Sequence, residues 1–297
     1  MLSPVLIVQL CYAIPSLLLY ILVLLVLFQH SCFDTVGYLI LKGSCILQVL
    51  IYLTVFVLVR IQSYPEFIPY FEQFYAKHQW TAKFVWVLFA DTHLLYIPIV
   101  CSGIERLVFL TNPIVSEQKF RHLIAPLFLS LTPVSFVLSA YIPFLKPSID
   151  TLSYFGSFNY KFTDENFVYA LQFIYTLIYF SFLIGINLLS IIMLATVKKA
   201  SKRTRRLFAI TLMTSILQSV FPTLQFLSAT ATLFGIREKW RIHVTLPYAW
   251  DLACLVTPWL HLLLNPTLRS KMIGLVRNDE DKQLRGYLPH NPRTIPL

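Results

Sequence analysis

The 297-residue chain reads as an all-α membrane protein: a seven-transmembrane helix bundle with its N-terminus outside and its C-terminus cytoplasmic. Three observations predict this. The chain is 57% hydrophobic and only 13% charged, with a mean hydropathy of +0.68, whereas a soluble domain carries about 25% charged residues. The charges gather in short clusters between seven apolar runs, each near the ~20 residues that a spanning helix requires. Of the 24 Lys and Arg residues, 16 fall on the side that holds KKASKRTRR at 198–206 and the C-terminal tail. The positive-inside rule assigns that side to the cytosol.

In order, segment one runs about 5–28. Tyr12, Ser16 and Tyr20 recur there at i+4 behind Pro15 and mark a packing face. Segment two runs about 36–59, with Lys42 near its start. The loop at 60–79 is rich in aromatics and proline, which suits either a headgroup belt or a lid. Segment three is 84–107. Segment four is 123–145, with Pro126, Pro133 and Pro143. A loop at 146–166 carries Lys146, Asp150, Lys161, Asp164 and Glu165 ahead of segment five at 167–197. Segment six, 207–234, has Pro222 near its middle, which predicts a kink. Its residues Thr211, Ser215, Gln218, Gln225 and Thr232 form a polar stripe that faces other helices or a water-filled cavity. Segment seven, 244–264, contains Pro247 and Pro258. Bundle neighbours can satisfy the backbone groups these prolines free. Residues 1–266 thus form the bundle and 267–297 a cytoplasmic tail. The stretch LRSKMIGLVR can fold as a short interfacial helix with Leu268, Met272, Ile273, Leu275 and Val276 toward lipid.

Segment three is the expected centre. It carries Asp91 within the apolar run and ends on Glu105-Arg106. Fourteen residues separate the two acids, so they lie within roughly 40° on the helix. Charges in hydrocarbon are costly and face protein or water. Asp91 and Asp251 each sit about seven residues into a segment from the outer side, roughly 10 Å deep. Two carboxylates at one depth can bind a cation, share a proton or accept from a polar ligand. Each is equally readable as a structural acceptor for a neighbouring Tyr, Ser or Trp. His93 points about 200° away from Asp91 and reads as a helix contact outside that site. Glu105-Arg106 is either an interfacial ion pair or a latch released by helix motion. Asn265-Pro266 ends segment seven, as a plain stop or as a helix end that can rearrange.

Several function classes find no support. The chain has no G-x-S-x-G, H-E-x-x-H, Walker-type loop or Cys-x-x-Cys, and only eight glycines, so it does not read as an enzyme and implies no cofactor. The five cysteines show no zinc spacing, and no metal site is expected. The net charge of +10 is scattered among loops, which fits anionic headgroups and acidic protein surfaces and not nucleic acid. No ring of acids or carbonyl-rich filter marks a simple channel. The N-terminus, MLSP, lacks the basic region of a removable signal.

With its Glu-Arg after the third span and Asn-Pro ending the seventh, the chain resembles a rhodopsin-like G-protein-coupled receptor. IPSLLLY at 14–20, Arg60 after segment two, Glu105-Arg106 followed by Asn112-Pro113, and LLLNPTLR at 262–269 resemble more closely the nematode serpentine chemoreceptors of class gamma (Srg) and their sibling classes. The similarity covers roughly residues 5–275. It departs from the rhodopsin-like pattern at Leu107, where an aromatic is usual, at Thr267-Leu268 after the Asn-Pro, and in having no cysteine pair to tie segment three to the second outer loop. The resemblance implies a chemosensory receptor in the plasma membrane, by analogy in a sensory cilium. It would bind a small extracellular ligand and signal through a heterotrimeric G protein. Asp91, Tyr96, Gln172, Tyr175, Tyr179, Gln225 and Asp251 would line the ligand pocket. Glu105, Arg106, Pro222, Asn265 and Pro266 would form the activation switch, and Lys198, Lys199, Lys202, Arg203, Arg205 and Arg206 would face the G protein. Two other readings stay open. One is a cation- or proton-coupled transporter or channel using Asp91 and Asp251. The other is a membrane assembly protein without a ligand, told apart by whether the Asp91 face opens on a cavity or is packed solid.

Overall fold

Long apolar runs with few internal charges fold as helices, because in an apolar environment the backbone must satisfy its own hydrogen bonds. The computed structural model describes residues 4–61, 64, 67, 69–71, 73, 81–111, 122, 126, 129–145, 147–150, 159–196, 202–236 and 239–274. Helix α1 spans Pro4–Gln29 and α2 spans Val36–Val55. A π-helical turn over Phe56–Arg60 extends α2 and ends with Arg60 buried. Helix α3 is Thr81–Thr111. Helix α4 covers 129–138. Next come a 3-10 turn at Ile142–Leu145 and the antiparallel strands β1 (Ser148–Asp150) and β2 (Asn159–Lys161). Helices α5 (Glu165–Thr196), α6 (Lys202–Gln218), α7 (Val220–Leu233) and α8 (Lys239–Leu264) follow, and α9 spans 266–274.

Among the described residues, five stretches are long and apolar enough to cross a membrane by length and composition: Leu6–Gln29, Val36–Arg60, Ala82–Leu107, Glu165–Ala195 and Phe208–Leu233. The protein is a membrane-embedded helical bundle. The most apolar window of α3 is 61% buried against 22% for that of α5, so α3 occupies the centre and α5 the periphery. Helix α3 packs on α2, α5 and α6. The core it anchors includes Tyr20 and Leu27 of α1, Ile51 of α2, Leu95 and Ile99 of α3, and Phe221 of α7.

The helix ends follow from particular residues. Asp164 caps α5 by accepting from the Phe167 amide at 3.0 Å, which lengthens that helix two residues beyond the expected start at 167. Segment six divides at Ser219. Pro222 has no amide for the carbonyl four residues back, at Gln218, where α6 ends. Gly235 closes α7 with a φ of +66°, while the Ile236 amide bonds the Ala231 carbonyl at 2.8 Å, a Schellman closure. Regular helix in segment four gives way at Ser139, before Pro143, earlier than the expected 145. Asn265 caps α9 through its Oδ1, 3.2 Å from the Leu268 amide, and Pro266 takes the first helical position, where a missing amide costs nothing. On α9, Leu268 and Met272 turn into the bundle core and Ile273 faces outward. The expectation that all three face lipid therefore fails for the first two. Leu275 and Val276 lie outside the described residues. The β1–β2 pair is an addition to the expected all-α fold, and it places Phe162 edge-on to Phe89 of α3.

Candidate functional site

The residues expected to line one ligand pocket divide among three places. The first lies between α3, α5 and α7, near the hairpin. Phe89, His93 and Tyr96 recur on α3 at i, i+4 and i+7 and face Gln172 and Tyr175 of α5 and Gln225 of α7 across a small cavity. Tyr96 donates to the Gln225 amide oxygen, and its ring stacks on Tyr179 with centroids 4.2 Å apart. His93 meets Tyr175 edge-on at 5.0 Å. The cavity measures about 10 Å³, roughly one water molecule. Its walls are aromatic, with two amides to fix a polar group. Five of the seven expected pocket residues, Tyr96, Gln172, Tyr175, Tyr179 and Gln225, thus come together. His93, which the sequence had set apart, joins them. Its own signal was the i, i+4, i+7 pattern on α3, not its angle to Asp91.

The second place is Asp91. Its side chain is buried in the α3 interior, away from the lining of that cavity, and its Oδ2 has no hydrogen-bond partner among the described residues. Its face is packed.

The third place is Asp251 on α8. Arg60, at the end of the π turn, donates from Nη2 to its Oδ2 at 2.7 Å, and the Tyr12 hydroxyl donates to the same oxygen. The Arg60 guanidinium also lies over the Tyr248 ring, 5.0 Å from its centroid. Asp251 and Arg60 form a buried ion pair, so Asp251 is not one of two free acids at a common depth. Tyr12, Ser16 and Tyr20 of α1 all reach α8. Tyr12 bonds Asp251, Ser16 accepts from Trp259 at 2.9 Å, and Tyr20 donates to the Cys254 carbonyl.

At the opposite end of the bundle, the expected switch residues meet several helices. Arg106 is 4% exposed. Its Nη2 donates to Asn187 Oδ1 on α5 at 2.9 Å and lies 3.4 Å from Ser215 Oγ on α6. Its Nε donates to the Ser102 carbonyl at 3.2 Å, and the Phe208 ring lies 5.9 Å away. Glu105 points elsewhere, toward α2, where its Oε1 stands 3.3 Å from where a Cβ on Gly37 would be. The hydrogen bonds that fix Arg106 across the bundle thus go to α5 and α6. Helix α3 comes so close to α5 here that a Cβ on Gly103 would fall 2.9 Å from Ile186 Cγ2.

Above Arg106 lies a second cavity of about 50 Å³, room for about three waters. Ser44, Ser102, Thr211, Ser215, Gln218 and His261 line it, so the first three positions of the segment-six stripe face a polar chamber. Gln218 donates to Thr257 at 2.8 Å. Buried Pro222 sits between this chamber and the Gln225 cavity in sequence. Below, Asn265 donates to the Tyr38 hydroxyl of α2 at 3.0 Å while capping α9, so Asn265 and Pro266 join α8, α9 and α2. Lys202, Arg203, Arg205 and Arg206 stand on the first turns of α6, and Lys198 and Lys199 lie outside the described residues. No metal-binding group of three His, Cys, Asp or Glu residues occurs among the described residues.

Residues 6–272 match the family described as Srg family chemoreceptor. No curated protein matches the chain.

Proposed function

The chain belongs to the Srg family of chemoreceptors, and from that premise we propose that it crosses the plasma membrane seven times and signals through a heterotrimeric G protein. The hairpin end faces outward and the 198–206 cluster faces the cytosol. A small extracellular ligand enters between α3, α5 and α7, where Tyr96, Gln172, Tyr175 and Gln225 surround the closed cavity. Aromatic walls with a few convergent amides suit a small, largely apolar molecule bearing one or two polar groups. The ligand opens this cavity by displacing the Tyr96–Gln225 bond. Pro222 divides the helix between that cavity and Arg106, so movement of α7 reaches α6 as a change of bend.

The observation that carries this reading is Arg106. A buried arginine at the cytosolic end that ties α3 to both α5 and α6 is a two-state element that a ligand can bias. The basic turns of α6 then meet the G protein. The transporter reading uses Asp91 and Asp251 together, and the Arg60–Asp251 pair commits Asp251 to a fixed partner instead.

The test is Arg106→Gln in cells carrying a G-protein activation reporter, with one epitope at each chain end. The expected result is an N-terminal tag accessible from outside, a C-terminal tag accessible only after permeabilisation, normal surface levels and lost activation. Normal signalling by the variant sinks the latch. Tags in one compartment sink the seven-span topology.

A further inference from the structure

A groove of about 370 Å³ runs between α1 and α8 on the outer wall of the bundle, apart from the cavity assigned to the extracellular ligand. That volume lies in the range of about 300–1,000 Å³ typical of small-molecule sites. Leu252 and Trp259 at its mouth are exposed, as are Ile14 and Leu18 of α1. Its lining is mostly apolar, and Asp251 forms part of it.

The hydrogen-bond inventory of the groove is one-sided. The Tyr12 hydroxyl is committed to Asp251 Oδ2, the Trp259 Nε1 donates to Ser16, and the Ser16 hydroxyl donates to the Tyr12 carbonyl at 2.7 Å. Arg60 is screened by the Tyr248 ring and is not part of the lining. The Tyr12, Ser16 and Trp259 donors are thus spent. The second carboxylate oxygen, Asp251 Oδ1, has no hydrogen-bond partner among the described residues and is not sealed off as a buried unpaired atom. An occupant that engages this oxygen must therefore donate. The Arg60–Asp251 pair is already neutral, so a cationic head would leave net charge in hydrocarbon, and an anionic head would face a carboxylate oxygen. A hydroxyl does neither.

We propose that the α1–α8 groove is a lateral site for a neutral, lipid-soluble alcohol that enters from the bilayer, lays its hydrocarbon along Leu252 and Leu255, and donates its hydroxyl to Asp251 Oδ1. Occupancy holds α1 against α8 at the buried pair. The site is separate from the Tyr96 cavity and acts whether or not that cavity takes an extracellular ligand.

The full chain in phosphatidylcholine nanodiscs is photolabelled with a diazirine-bearing hexadecanol, and the adducts are mapped by mass spectrometry. The expected result is saturable labelling around Tyr12–Ser16 and Leu252–Trp259, displaced by unlabelled hexadecanol. Hexadecane and hexadecylammonium should compete about tenfold less well, the ratio that one hydrogen bond supports. Leu252→Trp fills the mouth at an exposed position and leaves the Arg60–Asp251 pair in place, so it should remove the labelling with unchanged thermal stability. Unsaturable adducts spread equally over the exposed face of α5 mean bulk lipid only and overturn the proposal. Equal competition by hexadecane, or full labelling of Leu252→Trp, overturns it as well.

Discussion

Arg60 and Asp251, 191 positions apart in the chain, meet at 2.7 Å with both side chains buried. Removing one charge from such a pair strands the other, at a cost of about 3–5 kcal/mol, whereas replacing both with apolar residues of similar size is often close to neutral. Asp251→Asn should therefore sharply lower the thermal stability of the purified receptor. The double variant Arg60→Met, Asp251→Leu should recover most of the loss. Melting of the three proteins in the same detergent checks this. A double variant as unstable as the single one refutes the pairing as the source of the cost.

That pair also marks the limit of what the sequence makes legible. Helix positions follow from hydropathy, because lipid-facing residues such as Leu18, Ile178 and Leu188 must be apolar whatever their neighbours are. The break at Ser219 follows from Pro222. Pairings between helices leave no such local trace. Arg60 reads as a loop charge because it ends a segment, and only the π turn brings it inward. The angle of His93 to Asp91 on α3 says nothing of its actual neighbour, Tyr175 on another helix. Leu268 and Met272 look like an interfacial stripe in sequence, and the cap at Asn265 turns them into the core instead.

Asn187 and Ser215 hold Arg106 across the end of the bundle proposed to face the cytosol. Loosening these contacts while leaving the guanidinium for the G protein to engage should raise basal activity, unlike Arg106→Gln, which removes the guanidinium itself. Asn187→Ala removes an acceptor from a charged donor, an interaction worth about 1.5–3 kcal/mol. The expected outcome is agonist-free nucleotide exchange on the G protein about tenfold above the parent, the change that about 1.4 kcal/mol produces. Ser215→Ala loses a longer contact, 3.4 Å, and should raise the basal rate less. Membranes expressing matched amounts of each variant provide the comparison. Reduced basal exchange in both would place Arg106 in the active arrangement instead.

Gly103 lets α3 and α5 approach beside Arg106. A methyl at this position meets Ile186 Cγ2 at 2.9 Å, closer than ordinary contact permits. Gly103→Ala should cost about 1–3 kcal/mol through overpacking, despite the better helix propensity of Ala. Ile186→Leu moves the branch away from Cβ at constant volume. The double variant Gly103→Ala, Ile186→Leu should therefore be more stable than Gly103→Ala alone. Additive losses in thermal melting would show that the two residues are not coupled.

The cavity bounded by Gln172 and Gln225 is too small for anything beyond about one water, so a receptor that binds its ligand there must open it. Thiol accessibility reports that opening. In a background with the exposed Cys11 and Cys32 replaced by Ser, Gln172→Cys places a thiol on the cavity wall. The remaining cysteines, Cys45, Cys101 and Cys254, are buried and give a low background. A membrane-impermeant thiosulfonate added from outside should modify this thiol slowly in the free receptor. Binding of a nucleotide-free G protein, which favours the active arrangement, should speed the reaction, because the two sites bias one equilibrium reciprocally. Fast modification in the free receptor would mean that the cavity already communicates with solvent. An unchanged rate with the G protein bound would separate the Tyr96 cluster from activation and return the ligand site to another part of the bundle.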